Sequence, residues 1–340
     1  MSDAPRPAKD AQSPFSGEPD PQETYPASDL ILRSCDGVDF HVHKQILAFV
    51  SVFFSNMFAF PSGSAPPTEL QRDGKSILLL PETEDILYRV LILAYPARSR
   101  KLYSLSAADL DSACLVHEAA QKYQFTYAQN LVVEMLMEDT LVDAHPHRLF
   151  AIATLRDLPS LGQKAALSTL KLPICPPNLT FPEMRLMRAE SLQKLYDFHR
   201  LCSKNASDIV EEAGGPLEEK DLGAEGSLTL DADQSLCAWW MQNAHVDGCG
   251  AALDFGMVIP APWFPKLIQN AIPKVPCMPT GATVASEILA AKTAVWHLRS
   301  DCDLCCDEGE TDLESFARRI SRVIDEKNAT SAREPGILGF

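Results

Sequence analysis

Between residues 28 and 58 the apolar positions follow first a period of two and then a helical one. Leu30 and Leu32 alternate with Ile31 and Arg33, and Val38, Phe40 and Val42 alternate with Asp39, His41 and His43. A period of two places each set on its own face of a strand. Asp36-Gly37 between the strands predicts a two-residue hairpin turn with both central residues at positive φ. After Lys44 a helix pair begins. Ile46, Val50, Phe53 and Met57 form one stripe, and Leu47, Phe54 and Phe58 a second. A helical segment with two apolar faces buries one in its own core and leaves the other to something else, most simply another protein. Leu47, Phe49, Phe54 and Phe58 are the candidates for a surface beyond the core of one molecule.

Further along, Pro61 to Pro67 is a loop by composition, and Ile77 to Leu80 reads as a short, fully buried strand. Pro81-Glu82-Thr83-Glu84-Asp85 opens a helix that turns Ile86, Val90 and Leu93 inward, its acids facing the positive end of the helix dipole. Arg98 to Lys101 is a solvated basic loop. Ser106 with Asp109 starts the next helix as an acidic capping box, with Leu110, Ala113, Cys114 and His117 on its stripe. Ala128, Leu131, Val132, Met135 and Leu136 repeat the pattern. Residues 147–156, 160–172 and 188–203 read as helices of a small bundle, broken by a Pro-rich stretch at 173–182. The last helix opens on Thr311-x-x-Glu314 and carries Leu313, Phe316, Ala317, Ile320 and Ile324 on one face. The predicted layout is a disordered tail at 1–25, a first domain at 26–140, a helical extension at 141–210 and an acidic Gly-rich linker at 211–233. A mostly helical C-terminal region at 234–328 and a frayed tail at 329–340 complete it.

The 340 residues suffice for two or three small domains, and 46% hydrophobic residues suit a packed core. A net charge of −16 argues against nucleic acid, whose binding rests on Lys and Arg neutralising phosphates, and against an anionic membrane surface. No apolar run approaches the ~20 residues of a membrane span. The first 25 residues lack the basic start and apolar stretch of a secretion signal. The ten cysteines are therefore expected as thiols or metal ligands in the cytoplasm or nucleus.

Motifs for catalysis are missing: no Gly-x-Ser-x-Gly turn, no phosphate-cradling Gly loop, no His-Glu-x-x-His. The expectation is a non-enzyme. His41 and His43 share one strand face at a spacing that suits a metal, though roles within the fold are favoured, and the same holds for His117 on its apolar stripe. The best metal candidate is Cys302-x-x-Cys305, followed by Cys306. His245 and Cys249 in a Gly-rich stretch offer the other half of a structural zinc site, Cys237 is an alternative ligand, and His199 with Cys202 a remote one. A four-ligand zinc would staple a region with a thin core, whereas an open coordination position would point to a zinc-dependent enzyme. Reduced thiols at a helix end are the simpler reading. Trp239-Trp240 and Trp263-Phe264 either plug a small core or offer an aromatic peptide-binding surface.

The order Ser28-Asp29-Leu30, Asp36-Gly37, Phe40, Val42-His43-Lys44, Leu47, Ser51, Phe53-Phe54 and Met57-Phe58 resembles the opening of a BTB (POZ) domain. The resemblance continues through Leu78 to Glu82, Tyr95-Pro96 and Ala119 to Tyr123. The Tyr-Pro pair and residues 145–153 are most similar to the fungal branch. The resemblance covers roughly the first 140 residues and, more weakly, the next 65. It implies an α+β fold in which a small sheet of short strands caps a helical cluster, and an interaction module with no active site. It gives His43 a role in the fold. It also implies a homodimer formed through the N-terminal segment and first helix. A further family role is that of substrate adaptor docking a cullin ubiquitin-ligase scaffold through helices of the domain and its extension. The transcription-factor role needs a DNA-binding module, and neither the Cys and His spacings nor the charge supply one.

Overall fold

The structure is a computed structural model that describes residues 9–18, 26–59, 70–95, 109–174, 176, 179–214, 263–271, 277–295 and 309–340, with short strands between 217 and 259. It divides into two compact units, Met1–Leu141 and Val142–Phe340.

The first unit is built on a five-stranded sheet in the order β1-β3-β2-β5-β4. Its strands are β1 (Lys9–Asp10), β2 (Leu30–Arg33), β3 (Val38–Val42), β4 (Gln71–Arg72) and β5 (Lys75–Leu79). Strands β2 and β3 form the expected antiparallel hairpin, with Leu30 opposite Val42 and Arg33 opposite Asp39. The turn differs from expectation. Only Gly37 has positive φ, at 86°. Gly37 N–H donates to Ser34 O at 3.0 Å and Ser34 N–H to Val38 O at 3.0 Å. This is a three-residue loop closed by a left-handed glycine, a connection that asks for one positive φ instead of two. Strand β5 runs parallel to β2 and is not the fully buried strand expected. Leu79 is 58% exposed and only the following Leu80 is buried, and among the described residues only the two-residue β4 lies on the other edge of β5.

The larger departure is at the N-terminus. Residues 9–18, expected to be part of a disordered tail, are ordered against the sheet. Strand β1 pairs in parallel with β3, and Ala11 and Phe15 are buried. Consequently β3 is covered on both faces, Asp39 and His41 as well as Val38, Phe40 and Val42.

Helices α1 (Lys44–Val50), α2 (Val52–Ala59), α3 (Glu84–Ala94), α4 (Leu110–Lys122) and α5 (Thr126–Leu136) complete this unit. Ile86, Val90 and Leu93 on α3 point inward as their spacing requires, as do Leu110, Ala113 and His117 on α4 and Ala128, Leu131, Val132 and Leu136 on α5. A sheet of short strands with a cluster of helices is the α+β arrangement expected.

In the second unit α6 (Asp139–Ala144) leads into α7 (Pro146–Arg156) and α8 (Pro159–Thr169), each opened by a proline whose missing N–H costs nothing at that position. A 3-10 turn at Pro182–Arg185 precedes α9 (Ala189–Gly214). Helix α9 outruns its expected end near Ser203 because Cys202, Ala206, Val210 and Ala213 keep the buried stripe in phase. The region expected as linker thus holds the end of α9 together with β6 (Leu217–Glu218), β7 (Leu222–Gly223) and β8 (Ser227–Thr229). Strands β9 (Ser235–Cys237), β10 (Ala252–Asp254) and β11 (Met257–Ile259) follow. They pair as two three-stranded sheets, β10-β11-β6 and β7-β8-β9. Helices α10 (Trp263–Ala271), α11 (Gly281–Val295) and α12 (Gly309–Arg333) come last. All five stripe residues of α12, from Leu313 to Ile324, are buried. The expected frayed tail is instead docked. Helix α12 runs through its first residues, Leu338 is buried, and the Phe340 ring stands edge-on to Phe150 at 6.0 Å.

Candidate protein-interaction surface

Helices α1 and α2 are separated by Ser51, whose φ of −142° and ψ of 119° break the helical path. Its hydroxyl donates to Tyr123 O at 2.6 Å and accepts from Phe54 N–H at 3.0 Å. It therefore ties the bend to the end of α4 and caps α2 at once. Beneath it Phe54 stacks on Tyr123, with centroids 5.7 Å apart, and lies 5.7 Å from Phe125. Tyr123 donates to the Glu82 carboxylate. Burial, and after it the neighbouring Glu82 charge, raises the phenol well above its ordinary pKa. Lys122 also reaches Glu82 at 2.7 Å.

The bend sorts the candidate interface residues in a way the stripes did not. Leu47 and Phe54 are fully buried and belong to the core of one molecule, which corrects their assignment to an outer surface. Phe58 is half-buried, stacked on Phe54 at 5.9 Å. Phe49 is 84% exposed, and beside it across Ser51 Val52 is 60% and Phe53 37% exposed. Val52 stands on neither stripe of the sequence pattern, and Phe53 falls on the other stripe. The stripes assume one helical phase, and the extended Ser51 resets that phase. A serine followed three residues later by the Phe54 N–H it caps is the signal that finds the break. Three apolar side chains thus flank a bend held by buried groups.

A polar cluster on the sheet joins side chains from β1, β2, β3 and β4. Asp39, fully buried, accepts from Arg33 Nε at 2.5 Å and Nη2 at 2.8 Å, and from Arg72 Nη1 at 2.7 Å. Arg72 also forks onto Asp10, with Nη1 2.7 Å from Oδ1 and Nη2 3.0 Å from Oδ2. Burial alone would raise both carboxyls, but their hydrogen bonds, from Arg33 and Arg72 to Asp39 and from His41 and Arg72 to Asp10, outweigh it and hold both below the ordinary value.

His41 and His43 are held by separate partners. His41 Nε2 is 3.0 Å from Asp10 Oδ1, and Lys75 Nζ is 3.4 Å from its Nδ1. His43 Nε2 lies 2.7 Å from Pro26 O, and Tyr95 OH accepts from the His43 backbone N–H at 3.0 Å. His199 and Cys202 are buried on α9, with His199 Nε2 3.2 Å from Leu172 O. Burial pushes the Cys202 thiol up to about 12. Among the described residues no group of three or more His, Cys, Asp or Glu is arranged to hold a metal ion. His245, Cys249, Cys302, Cys305, Cys306, the Trp239-Trp240 pair and the side chains of Cys237, Trp263 and Phe264 lie outside the described residues. No described helix is long and apolar enough to cross a membrane.

Residues 21–140 match the BTB/POZ domain family. No curated protein matches the chain. The chain therefore carries a BTB/POZ domain in its first unit, and such a domain is a protein–protein interaction module.

Proposed function

We infer that this chain is a non-enzymatic scaffold that homodimerises through its BTB/POZ domain and recruits other proteins. One observation carries the reading: Phe49, Val52 and Phe53 present apolar surface on a bend fixed by Ser51 and Tyr123. Phe49 at the end of one short helix and Val52 and Phe53 at the start of the next form the kind of rigid aromatic anchor that dominates interfaces. A two-fold arrangement places the same patch on both copies, so each covers the other. Sedimentation velocity at micromolar concentration tests it. A dimer is expected, and a strict monomer up to 100 micromolar would overturn the reading.

A second surface favours the reading of cullin-type ubiquitin-ligase adaptor. Leu115 on α4 and Tyr127 on α5 are 50% and 59% exposed, on helices of the domain that could take part in such docking. Binding of a purified cullin N-terminal domain, lost on Tyr127→Glu, separates the adaptor from the simple dimer. The Tyr95-Pro96 pair and residues 145–153 support a place in the fungal branch of the family, and cytoplasm or nucleus is the compartment such a scaffold serves.

A further inference from the structure

Residues 9–18 lie on β3 as an extended peptide lies on a receptor. Asp10 sits opposite Asp39 in a parallel ladder. Ala11 N–H donates to Asp39 O at 2.9 Å, and His41 N–H to Phe15 O at 3.0 Å. The Asp10 carboxylate enters the Arg72 fork and meets His41 Nε2 at 3.0 Å. Phe15 is 2% exposed in a socket of three rings: Phe40 at 6.1 Å, Tyr88 edge-on at 6.1 Å and Tyr95 edge-on at 5.2 Å. Tyr88 OH donates to Ser13 O at 3.2 Å. At Gly17, φ is +80° and a Cβ would stand 2.8 Å from the His41 ring, so only glycine passes there.

The receptor side also has contacts of its own. Arg33 holds Asp39, Asp39 holds Arg72, and the socket rings come from β3 and α3 or its end. The segment itself is thinly attached. Of its ten residues only Ala11 and Phe15 are buried, and its strand is two residues long. A charged fork for an acid and an aromatic socket five residues on are features of side-chain recognition, and strand addition to a sheet edge supplies the main-chain part. In a chain of net charge −16, Arg33, Arg72, Lys75 and His41, from four strands, gather basic groups around Asp39 and Asp10.

We propose that the edge of β3 is a docking groove for an extended segment of another protein carrying an acidic residue and, five positions later, a phenylalanine, and that residues 9–18 are its built-in competitor. The groove uses neither Phe49, Val52 nor Phe53, so it stands or falls separately from dimerisation through the bend.

A fluorescein-labelled peptide Ala8–Glu18, measured by anisotropy against the full-length chain, tests the groove. Asp10→Lys with Phe15→Ala in the chain releases its own segment. That variant should bind the peptide at least tenfold more tightly than the unmodified chain does. Peptides carrying Asp10→Asn or Phe15→Ala should each lose at least tenfold. A variant that keeps its circular dichroism and melting temperature yet fails to bind the peptide at 1 mM overturns the proposal. Should the variant not fold, the unmodified chain is given excess peptide with benzoylphenylalanine in place of Phe15. Photocrosslinks to Tyr88 or Tyr95, suppressed by unlabelled peptide, support the groove, and their absence overturns it. A dimer of the unmodified chain that is abolished by the Asp10→Lys and Phe15→Ala pair but not by Phe49→Glu would assign the groove to the segment of a second copy and overturn the external partner.

Discussion

Asp39 accepts from two arginines while wholly shielded from water. Asp39→Asn leaves Arg33 and Arg72 facing a neutral amide at that depth. Removing one member of such a cluster costs about 3 kcal/mol, read as a lowered urea midpoint with an unchanged slope. The folded pKa values of Asp10 and Asp39 are depressed, so their contribution is fully present above the unfolded value near 3.8 and is lost as pH falls through the lower folded values. His147 and His199 act in a different window. Burial depresses both, and for His147 the nearby His199 adds to it. The unfolded chain takes up these protons first. Stability is therefore complete above the unfolded value of 6.5 and declines as pH falls below it. Melting temperature followed from pH 7.5 to 5 should drop, and His147→Phe should flatten the slope. An unchanged slope in that variant would mean that the burial of these rings carries no such penalty.

At the scale of the element, the helix pair separates core from surface by substitution. Leu47→Ala and Phe54→Ala remove fully buried groups and should cost about 2–5 kcal/mol each. Phe49→Glu touches an exposed position and should move the unfolding free energy by less than about 0.5 kcal/mol. In sedimentation the order should reverse: with the proposed dimer, Phe49→Glu is expected to weaken association by about 2 kcal/mol, roughly 30-fold. At the hairpin, Gly37→Ala forces a Cβ into the left-handed region at a cost of about 1–2 kcal/mol, measurable by the same urea titration. These elements differ in how plainly the sequence announces them. Strand β3 and the stripe of α12 were legible because alternation runs unbroken through Val38 to Val42 and 3.6-residue spacing through Leu313 to Ile324. The split between Phe54 and Phe49 was not, because one extended residue shifts a helical phase that a stripe count carries straight through. Residues 9–18 gave no signal at all. Their anchors are an aspartate, an alanine and a phenylalanine without period, set among Pro, Ser and Gln as in an unfolded tail. What orders them is a fork supplied by Arg72, 62 residues away. Burial of Phe15, the ladder bonds and the Asp10 contacts together hold the segment against the entropy of its ten residues.

At the scale of the whole molecule, charge would oppose the dimerisation proposed for the apolar bend. Each copy brings a net charge of −16 to any dimer, and burial of Phe49, Val52 and Phe53 must exceed that repulsion. Raising ionic strength from 0.01 to 0.15 M shortens the Debye length from about 30 to about 8 Å. The repulsion is spread over the surface and is screened, whereas the apolar contact is untouched at these concentrations. The dimer should accordingly tighten several-fold across that range in sedimentation equilibrium. The contact between Asp10 and Arg72 responds with the opposite sign. It is an attraction between partly exposed groups within one chain, so screening weakens it, and the His41 amide that donates to Phe15 O should exchange with deuterium faster at 0.15 M than at 0.01 M. A dimer that instead weakens with salt would place opposite charges, and not the phenylalanines at the Ser51 bend, at the centre of the interface.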